Sequence, residues 1–233
     1  MSNSYFRFKQ FEIFHDHCAM KVGTDGVLLG AWIKTGDAKH ILDVGTGSGL
    51  IALILAQRSL ADVDGVELDM DAAKQATENA FKSPWSDRVH IFEDDFKNYS
   101  NGFYDLIVSN PPYFRNSLKA PTKVRNVARH TDALSYEDLI CNSAQMLLPD
   151  GRFAVILPFE SVNEFENICW QYKLYPSKYC EVSSIEGQSP KRVLLEFSFR
   201  RSTIERGFLS IYTSEHKLTK IFSALTLDLY LDR

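Results

Sequence analysis

The chain has 233 residues, an apolar content that is ordinary for a globular protein and a formal net charge of −4, which allows one α/β domain with a sizeable core. The acidic balance excludes a global attraction to nucleic acid, so a polyanionic partner has to meet a local basic patch. No apolar run approaches the ~20 residues of a membrane span, and the N-terminus lacks the apolar core of a signal peptide, so we expect a cytoplasmic protein.

Strand-like and helix-like segments alternate through the first two thirds of the chain. Short apolar stretches predict strands at 41–44, 63–67, 89–92, 104–108 and 152–157. Apolar-rich or amphipathic stretches predict helices at 49–58, 70–81, 135–147 and 160–172. This alternation predicts a doubly wound, mostly parallel, seven-stranded Rossmann-like sheet with helices on both faces, whose ligand sites lie at the carboxyl ends of the strands.

The final third of the chain changes character. Alternating segments at 179–185 and 192–199 flank the turn-rich residues 186–190, and they predict an antiparallel hairpin that closes one edge of the sheet. Residues 207–212 and 217–225 carry weaker patterns. Because no repeat, low-complexity tract or linker-like stretch interrupts the chain, we expect a single domain over residues 1–233, in which about 176–233 form antiparallel strands and a C-terminal extension.

The first predicted strand runs into Gly45-Thr46-Gly47-Ser48-Gly49 and then a helix. Glycines let the backbone approach a ligand, and a helix N-terminus offers free N–H groups. The G-x-G-x-G spacing differs from the G-x-G-x-x-G of pyrophosphate loops, and Asp43 suits a cationic amino group and a sulfonium better than a diphosphate. Glu67 ends the second strand, where a carboxylate can accept from both ribose hydroxyls. Together they favour a nucleoside cofactor over a generic tight turn.

Residues 43–49 resemble the first motif of the class I methyltransferases, which use S-adenosylmethionine. The resemblance implies that the glycine loop holds the methionine moiety of the cofactor and that Glu67 holds its ribose. Asp94-Asp95-Phe96 resembles the motif that recognises the cofactor's adenine. That motif has one acidic residue, and of the two present here we favour Asp95. Polar groups that only cap a strand end are the alternative interpretation.

The fourth predicted strand delivers Asn110-Pro111-Pro112-Tyr113 to its carboxyl end. Two prolines end a strand, and the residue before a proline is held extended, so Asn110 is presented in a fixed pose. The Asn110 side-chain carbonyl and the Pro111 backbone carbonyl could accept both hydrogens of a planar amino group, which favours a pyramidal, nucleophilic nitrogen, while Tyr113 stacks on the substrate. The tetrapeptide predicts methylation of an exocyclic amino group, with an ordinary Asn-Pro turn as the alternative.

Two features concern the substrate. Between Asn110 and His130 there is no acidic residue, but there are five basic ones, Arg115, Lys119, Lys123, Arg125 and Arg129. In an acidic protein this favours a loop that follows RNA phosphates over a merely solvated loop. Residues 8–11, 20–32 and Arg129-His130 closely resemble the bacterial tRNA1(Val) adenine-N6 methyltransferases. This resemblance implies a tRNA substrate, an adenine next to the anticodon, and a segment over about 1–35 that covers the cofactor.

The predicted site follows from these motifs and resemblances. The expected catalytic residues are Asn110, Pro111, Pro112 and Tyr113. The expected cofactor-binding residues are Lys21, Thr24, Asp25, Asp43, Gly45, Thr46, Gly47, Gly49, Glu67, Leu68, Asp95, Phe96 and Asn110. The expected substrate-binding residues are Tyr113, Phe114, Arg115, Lys119, Lys123 and Arg129, of which Tyr113 or Phe114 supplies the stacking surface for a base.

Several alternatives stay open at the level of sequence. Guanine N2 in ribosomal RNA and a protein glutamine amide are also planar amino groups. We expect the glutamine substrate less, because the motifs start near Phe6 and we expect no separate N-terminal helical domain of the kind that the glutamine enzymes use. A cofactor-holding module without catalysis would need neither Asn110 nor Tyr113, and the loop spacing and Asp43 disfavour a nicotinamide oxidoreductase. Four scattered cysteines and the isolated pair His15 and His17 indicate no metal. We expect a monomer.

Overall fold

The computed structural model describes residues 4–18, 20–112 and 134–231. A two-stranded antiparallel hairpin, β1 (Tyr5–Arg7) and β2 (Glu12–Phe14), opens the chain, and helix α1 (Thr24–Trp32) follows it. Across the described ranges, no helix is both long and apolar enough to cross a membrane.

A central sheet organises the remaining elements. Its strands are β3 (His40–Val44), β4 (Asp62–Glu67), β5 (Val89–Glu93), β6 (Tyr104–Ser109), β7 (Leu147–Pro158), β8 (Tyr175–Ile185), β9 (Arg192–Ser198) and β10 (Glu205–Tyr212). Its helices are α2 (Leu50–Arg58), α3 (Met70–Lys82), α4 (Tyr136–Met146), α5 (Val162–Gln171) and α6 (Lys220–Leu225). The spatial order is β10-β8-β9-β7-β6-β3-β4-β5, and only β9 runs antiparallel to its neighbours.

The structure confirms the predicted mostly parallel, doubly wound sheet with an antiparallel hairpin. It differs in one respect, because β10 pairs in parallel with β8, so that the central sheet has eight strands among the described residues and not seven. The β8–β9 hairpin therefore lies inside the sheet and does not form its edge. The sequence signal of β10 is weak because an edge strand buries few side chains: Leu209 is buried, whereas Phe208 is half exposed.

Apolar side chains fill both faces of the sheet. Helices α1, α2 and α6 pack on one face, and helices α4 and α5 pack on the other. The contact between α1 and α2 is close, because a Cβ placed on Gly30 would lie 2.8 Å from Ile54 Cγ2. The N-terminal hairpin joins the first face through Phe8, Phe11 and Ile13.

The strand order reverses between β3 and β6. From β3 the chain proceeds to β4 and β5 on one side, whereas β6 and β7 lie on the other. At such a switch point the connections leave the two strands in opposite directions, and a crevice opens at their carboxyl ends. The fold therefore brings the glycine loop after β3 and the Asn-Pro-Pro segment after β6 to the same crevice.

Candidate active site

The glycine loop is fixed from its buried side. Asp43, fully buried near the end of β3, accepts through Oδ2 from the Thr46 hydroxyl at 2.6 Å and from the Ala52 backbone N–H at 3.1 Å. Gly47 has φ +57° and a Cβ there would meet no atom within 4 Å, so its backbone faces open space. The carboxylate holds the loop from behind while the loop presents its backbone to the crevice.

Asp43 has an unusual electrostatic environment. Burial raises the pKa of its carboxyl to about 7, against the hydrogen bonds from Thr46 and Ala52, and the charge of Glu67 adds to the rise. Its second oxygen, Oδ1, is buried with no partner among the described residues. Asp43 is also absent from the walls of the cavities described below. Direct contact between Asp43 and a cofactor therefore stays a prediction, while its hold on the loop is observed.

Glu67, at the end of β4, faces the crevice with its carboxylate held by backbone donors. Oε2 accepts from Gly47 N–H at 2.8 Å, and Oε1 accepts from Asp69 N–H at 3.0 Å. A carboxylate oxygen has two lone pairs, so each oxygen can accept one further hydrogen bond. The arrangement suits a pair of neighbouring hydroxyls, as on a ribose.

Both acidic residues after β5 line the same cavity. The Asp95 N–H donates to Asp94 Oδ1 at 2.8 Å, and Asp95 itself accepts from Lys97 N–H at 3.0 Å with the Lys97 ammonium 3.5 Å away. Phe96 is buried and packs on Tyr99. Asp94 and Asp95 thus stand side by side at one end of the cavity, and the preference for Asp95 stays a prediction.

Asn110 stands where two cavities meet. Ser109, buried at the end of β6, donates from its hydroxyl to the Val44 carbonyl at 2.9 Å and so links β6 to β3 directly before Asn110. One cavity, of about 300 Å³, extends from Asn110, Pro111 and Pro112 to Glu67 and Asp95. A second of about the same volume extends from Asn110 past the glycine loop to the start of α1.

The N-terminal segment closes these cavities on one side. Cys18 and Met20 line the first cavity, and Lys21, Thr24 and Asp25 line the second. Arg192 Nε on β9 lies 3.0 Å from Asp25 Oδ2, which ties the start of α1 to the sheet. Burial, with Glu67 and Asp69 nearby, raises the pKa of the Cys18 thiol to about 11, so this thiol is neutral and a poor nucleophile.

Most of the predicted cofactor-binding residues come together. The first cavity is lined by Gly45, Gly47, Glu67, Leu68, Asp95, Phe96 and Asn110, and the second by Lys21, Thr24, Asp25, Gly45, Thr46, Gly47 and Asn110. Asp43 and Gly49 lie behind these walls. The predicted Tyr113, Phe114, Arg115, Lys119, Lys123 and Arg129 lie outside the described residues.

Sequence reasoning missed some of the wall. The first cavity is also lined by residues that were not predicted as site residues, namely Cys18, Met20, Val44, Val66, Asp69, Ala72, Ser109 and Leu134. Met20 begins the stretch 20–32 that carries the family resemblance, and Cys18 lies two residues before it. This resemblance is the signal that could have identified both residues. Leu134 carried no such signal, because one apolar residue before a helix is commonplace. The wall as a whole is largely apolar, and its polar groups include the glycine-loop backbone, the Glu67 carboxylate bonded to that backbone, and the carboxylates of Asp69, Asp94 and Asp95. It fits an uncharged adenosine joined to a cationic amino acid.

Comparisons with known proteins agree with this geometry. Residues 17–161 match the family described as "Methyltransferase small domain". The chain is 48% identical to the tRNA1(Val) (adenine(37)-N6)-methyltransferase of Parabacteroides distasonis, with 99% of each chain covered. The protein of the same name from Aeromonas hydrophila is 44% identical, with 98% of each chain covered.

Solved structures show the same fold at low sequence identity. A predicted O-methyltransferase from Agrobacterium tumefaciens superposes with a TM-score of 0.68 at 18% identity, over 90% of this chain and 99% of its own. A glycopeptide N-methyltransferase solved with S-adenosylmethionine gives a TM-score of 0.58 at 11% identity, over 77% of this chain and 100% of its own. With full-length relatives at 44–48% identity, the chain belongs to the tRNA1(Val) (adenine(37)-N6)-methyltransferase family.

Proposed function

We propose that this enzyme methylates the N6 amino group of adenine 37 in tRNA1(Val), using S-adenosylmethionine. The observation that carries the proposal is the position of Asn110, which lines both cavities beside the glycine loop, with Pro111 next to it in the cavity that contains Glu67. Relatives that align over the whole chain bear the name of this reaction.

The cofactor is held by groups at both ends of the first cavity. The backbone of Gly45 and Gly47 receives the methionine moiety, and Glu67 accepts from the ribose hydroxyls. Asp94 and Asp95, with Phe96 beside them, border the adenine. When bound, S-adenosylmethionine supplies an electrophilic methyl group on a sulfonium, so no strong base is required.

The chain's contribution to the chemistry is alignment of the amino group. The Asn110 side-chain carbonyl and the Pro111 backbone carbonyl accept from the two amino hydrogens, which directs the nitrogen lone pair out of the plane of the base. Ser109, bonded to Val44, and the two prolines keep these acceptors from turning. Preorganised acceptors of this kind lower the barrier without a reorganisation cost at the moment of reaction.

The remaining expectations from the sequence complete the proposal. The basic residues Arg115, Lys119, Lys123 and Arg129 contact tRNA phosphates, and Tyr113 or Phe114 stacks on the flipped adenine, which costs little to flip in an anticodon loop. The single-domain organisation, the monomeric state and the cytoplasmic location also stay predictions.

The test is methyl transfer from labelled S-adenosylmethionine to an unmodified tRNA1(Val) transcript, with nuclease digestion and mass spectrometry of the product. We expect N6-methyladenosine at position 37. A matched transcript with guanine at position 37 is the control and should take up no label. If the control transcript, ribosomal RNA or a protein glutamine took up label instead, the substrate would be an amino group other than N6 of adenine 37.

A further inference from the structure

Two amide side chains on α3 are buried although they face no ligand cavity. Asn79 is 1% exposed and Gln75, one turn earlier on the same helix face, is 4% exposed. Burying an amide is unfavourable unless its donors and acceptors are satisfied. The partners of these two amides therefore indicate what they are for.

Asn79 joins two separate parts of the site. Its Oδ1 accepts from Phe14 N–H at 3.0 Å, and its Nδ2 donates to the Phe14 carbonyl at 2.8 Å. The same Nδ2 donates to the Ser48 carbonyl of the glycine loop at 2.8 Å. One carboxamide thus fixes both backbone groups of Phe14, at the end of β2, relative to the loop that borders both cavities.

Gln75 extends this link toward the cavity. Its Oε1 accepts from His17 N–H at 3.3 Å, directly before the wall residue Cys18. The chain then passes Met20, which lines both cavities, and enters α1, where Asp25 is held by Arg192. The covering segment, residues 15–18 and 20–25, is therefore tied to α3 through His17 and to β9 through Asp25.

We propose that Asn79 and Gln75 are positioning residues for cofactor binding, which hold the covering segment and the glycine loop in one fixed relation across the cavity. The inference rests on the proposed function, because it assigns the amides to the S-adenosylmethionine site of that reaction. They act without touching the cofactor: they set the distance between the wall at Cys18 and Met20 and the loop at Gly47. Ordering these two segments before binding removes an entropy cost that the ligand would otherwise meet.

The substitution Asn79→Asp separates positioning from simple packing, because it preserves shape. An aspartate loses both N–H donors and sets a carboxylate against the Phe14 and Ser48 carbonyls. We expect the Kd of S-adenosylhomocysteine, measured by calorimetry on the full chain, and the KM for S-adenosylmethionine to rise about tenfold or more, with kcat at saturating cofactor within about threefold of wild type. The control is Leu139→Ala on α4, a buried residue of the core on the opposite face of the sheet from the N-terminal hairpin and α2, which lowers stability. Equal affinity in N79D and wild type, with only a loss of stability as in L139A, would overturn the inference.

The substitution Gln75→Leu keeps the proposal testable if N79D does not fold. It removes only the bond to His17, so we expect an increase of about threefold in the same Kd. It should also increase amide hydrogen exchange in residues 15–18. Glu78→Gln, on the exposed face of α3, is the matched control. Unchanged affinity and exchange in Q75L would contradict the proposal. Failure of the wild-type chain to bind S-adenosylhomocysteine would instead contradict the proposed function.

Discussion

Buried polar side chains have different partners in the two halves of the sheet. Near the carboxyl ends of β3 and β4, the buried Asp43 and Asn79 and the half-buried Glu67 bond to the glycine loop, to the first turn of α2 and to the N-terminal segment. Among the C-terminal strands, Glu196 on β9 instead bonds to two cationic side chains, Arg152 on β7 at 2.9 Å and Lys178 on β8 at 2.8 Å. The first arrangement shapes a cavity, and the second joins three strands.

This difference separates ligand affinity from stability. A side chain that bonds to a loop's backbone sets where the loop lies, so its loss should change binding more than folding. A side chain that is nearly fully buried between two cations contributes to the sheet itself, so its loss should change folding more than binding. Four substitutions test this distinction.

The largest effect should come from Asn110→Ala, on turnover alone. Removal of the side-chain acceptor leaves the amino group misaligned, and we expect kcat to fall about 100-fold or more, or about 3 kcal/mol of barrier. The Kd of S-adenosylhomocysteine should stay within about threefold of wild type, since the loop and Glu67 are intact. The measurement combines single-turnover methyl transfer with calorimetry. Turnover near the wild-type rate would show that Asn110 has no aligning role.

Glu196→Gln should have the next largest effect, on stability alone. The carboxylate is 3% exposed, whereas Arg152 and Lys178 are 25% and 22% exposed, so solvent limits the cost of leaving them unpaired. We expect the free energy of unfolding in urea to fall by about 2 kcal/mol, with the Kd of S-adenosylhomocysteine unchanged. Glu205→Gln, on the exposed edge strand, is the control. A weakened cofactor affinity in E196Q would show that the C-terminal half of the sheet also determines cofactor binding, which would contradict the distinction.

Glu67→Gln should lower affinity with little change in stability. The glutamine keeps the size of the side chain but has one acceptor oxygen in place of two, so it cannot serve both ribose hydroxyls. We expect the Kd of S-adenosylhomocysteine to rise about tenfold, or about 1.4 kcal/mol, and the free energy of unfolding to change by less than about 1 kcal/mol. Glu93→Gln, the register partner of Glu67 on β5, is the matched control and should behave as wild type. An equal effect in both variants would indicate a general loss of negative charge.

Local signals explain what the sequence could predict. Each of the predicted features can be recognised from a few neighbouring residues: the alternation of strands and helices, the glycine loop and the Asn-Pro-Pro segment. The strand order then places the two loops together. Asn79 could not be found in this way, because its partner Phe14 lies 65 residues away and a mid-helix asparagine usually faces solvent. The orientation of Asp43 also escaped prediction, since position at a strand end does not specify on which side of the loop a carboxylate lies.

Asp43→Asn should have the smallest effect. We expect this effect as a change in how the free energy of unfolding depends on pH. The folded-state pKa of Asp43 is raised to about 7 from an ordinary value of 3.8. The folded protein therefore retains a proton that the unfolded chain has lost, and the stability that Asp43 contributes declines as the pH rises from about 4 to about 7. Asparagine does not titrate. Relative to wild type, the free energy of unfolding of D43N should thus be higher at pH 8 than at pH 5 by about 1 kcal/mol or more.

The pH difference isolates the carboxyl from the other consequences of this substitution. The asparagine carbonyl can still accept from Thr46 and Ala52, while its NH2 group takes the place of Oδ1, which has no partner among the described residues. The cost of that unbonded group is the same at every pH, so it cancels in the comparison of pH 5 with pH 8. The exposed Asp37→Asn serves as control. Parallel pH profiles for wild type and D43N in urea denaturation would mean that Asp43 is ionised in the folded protein throughout this range and that the loop rests on a buried anion.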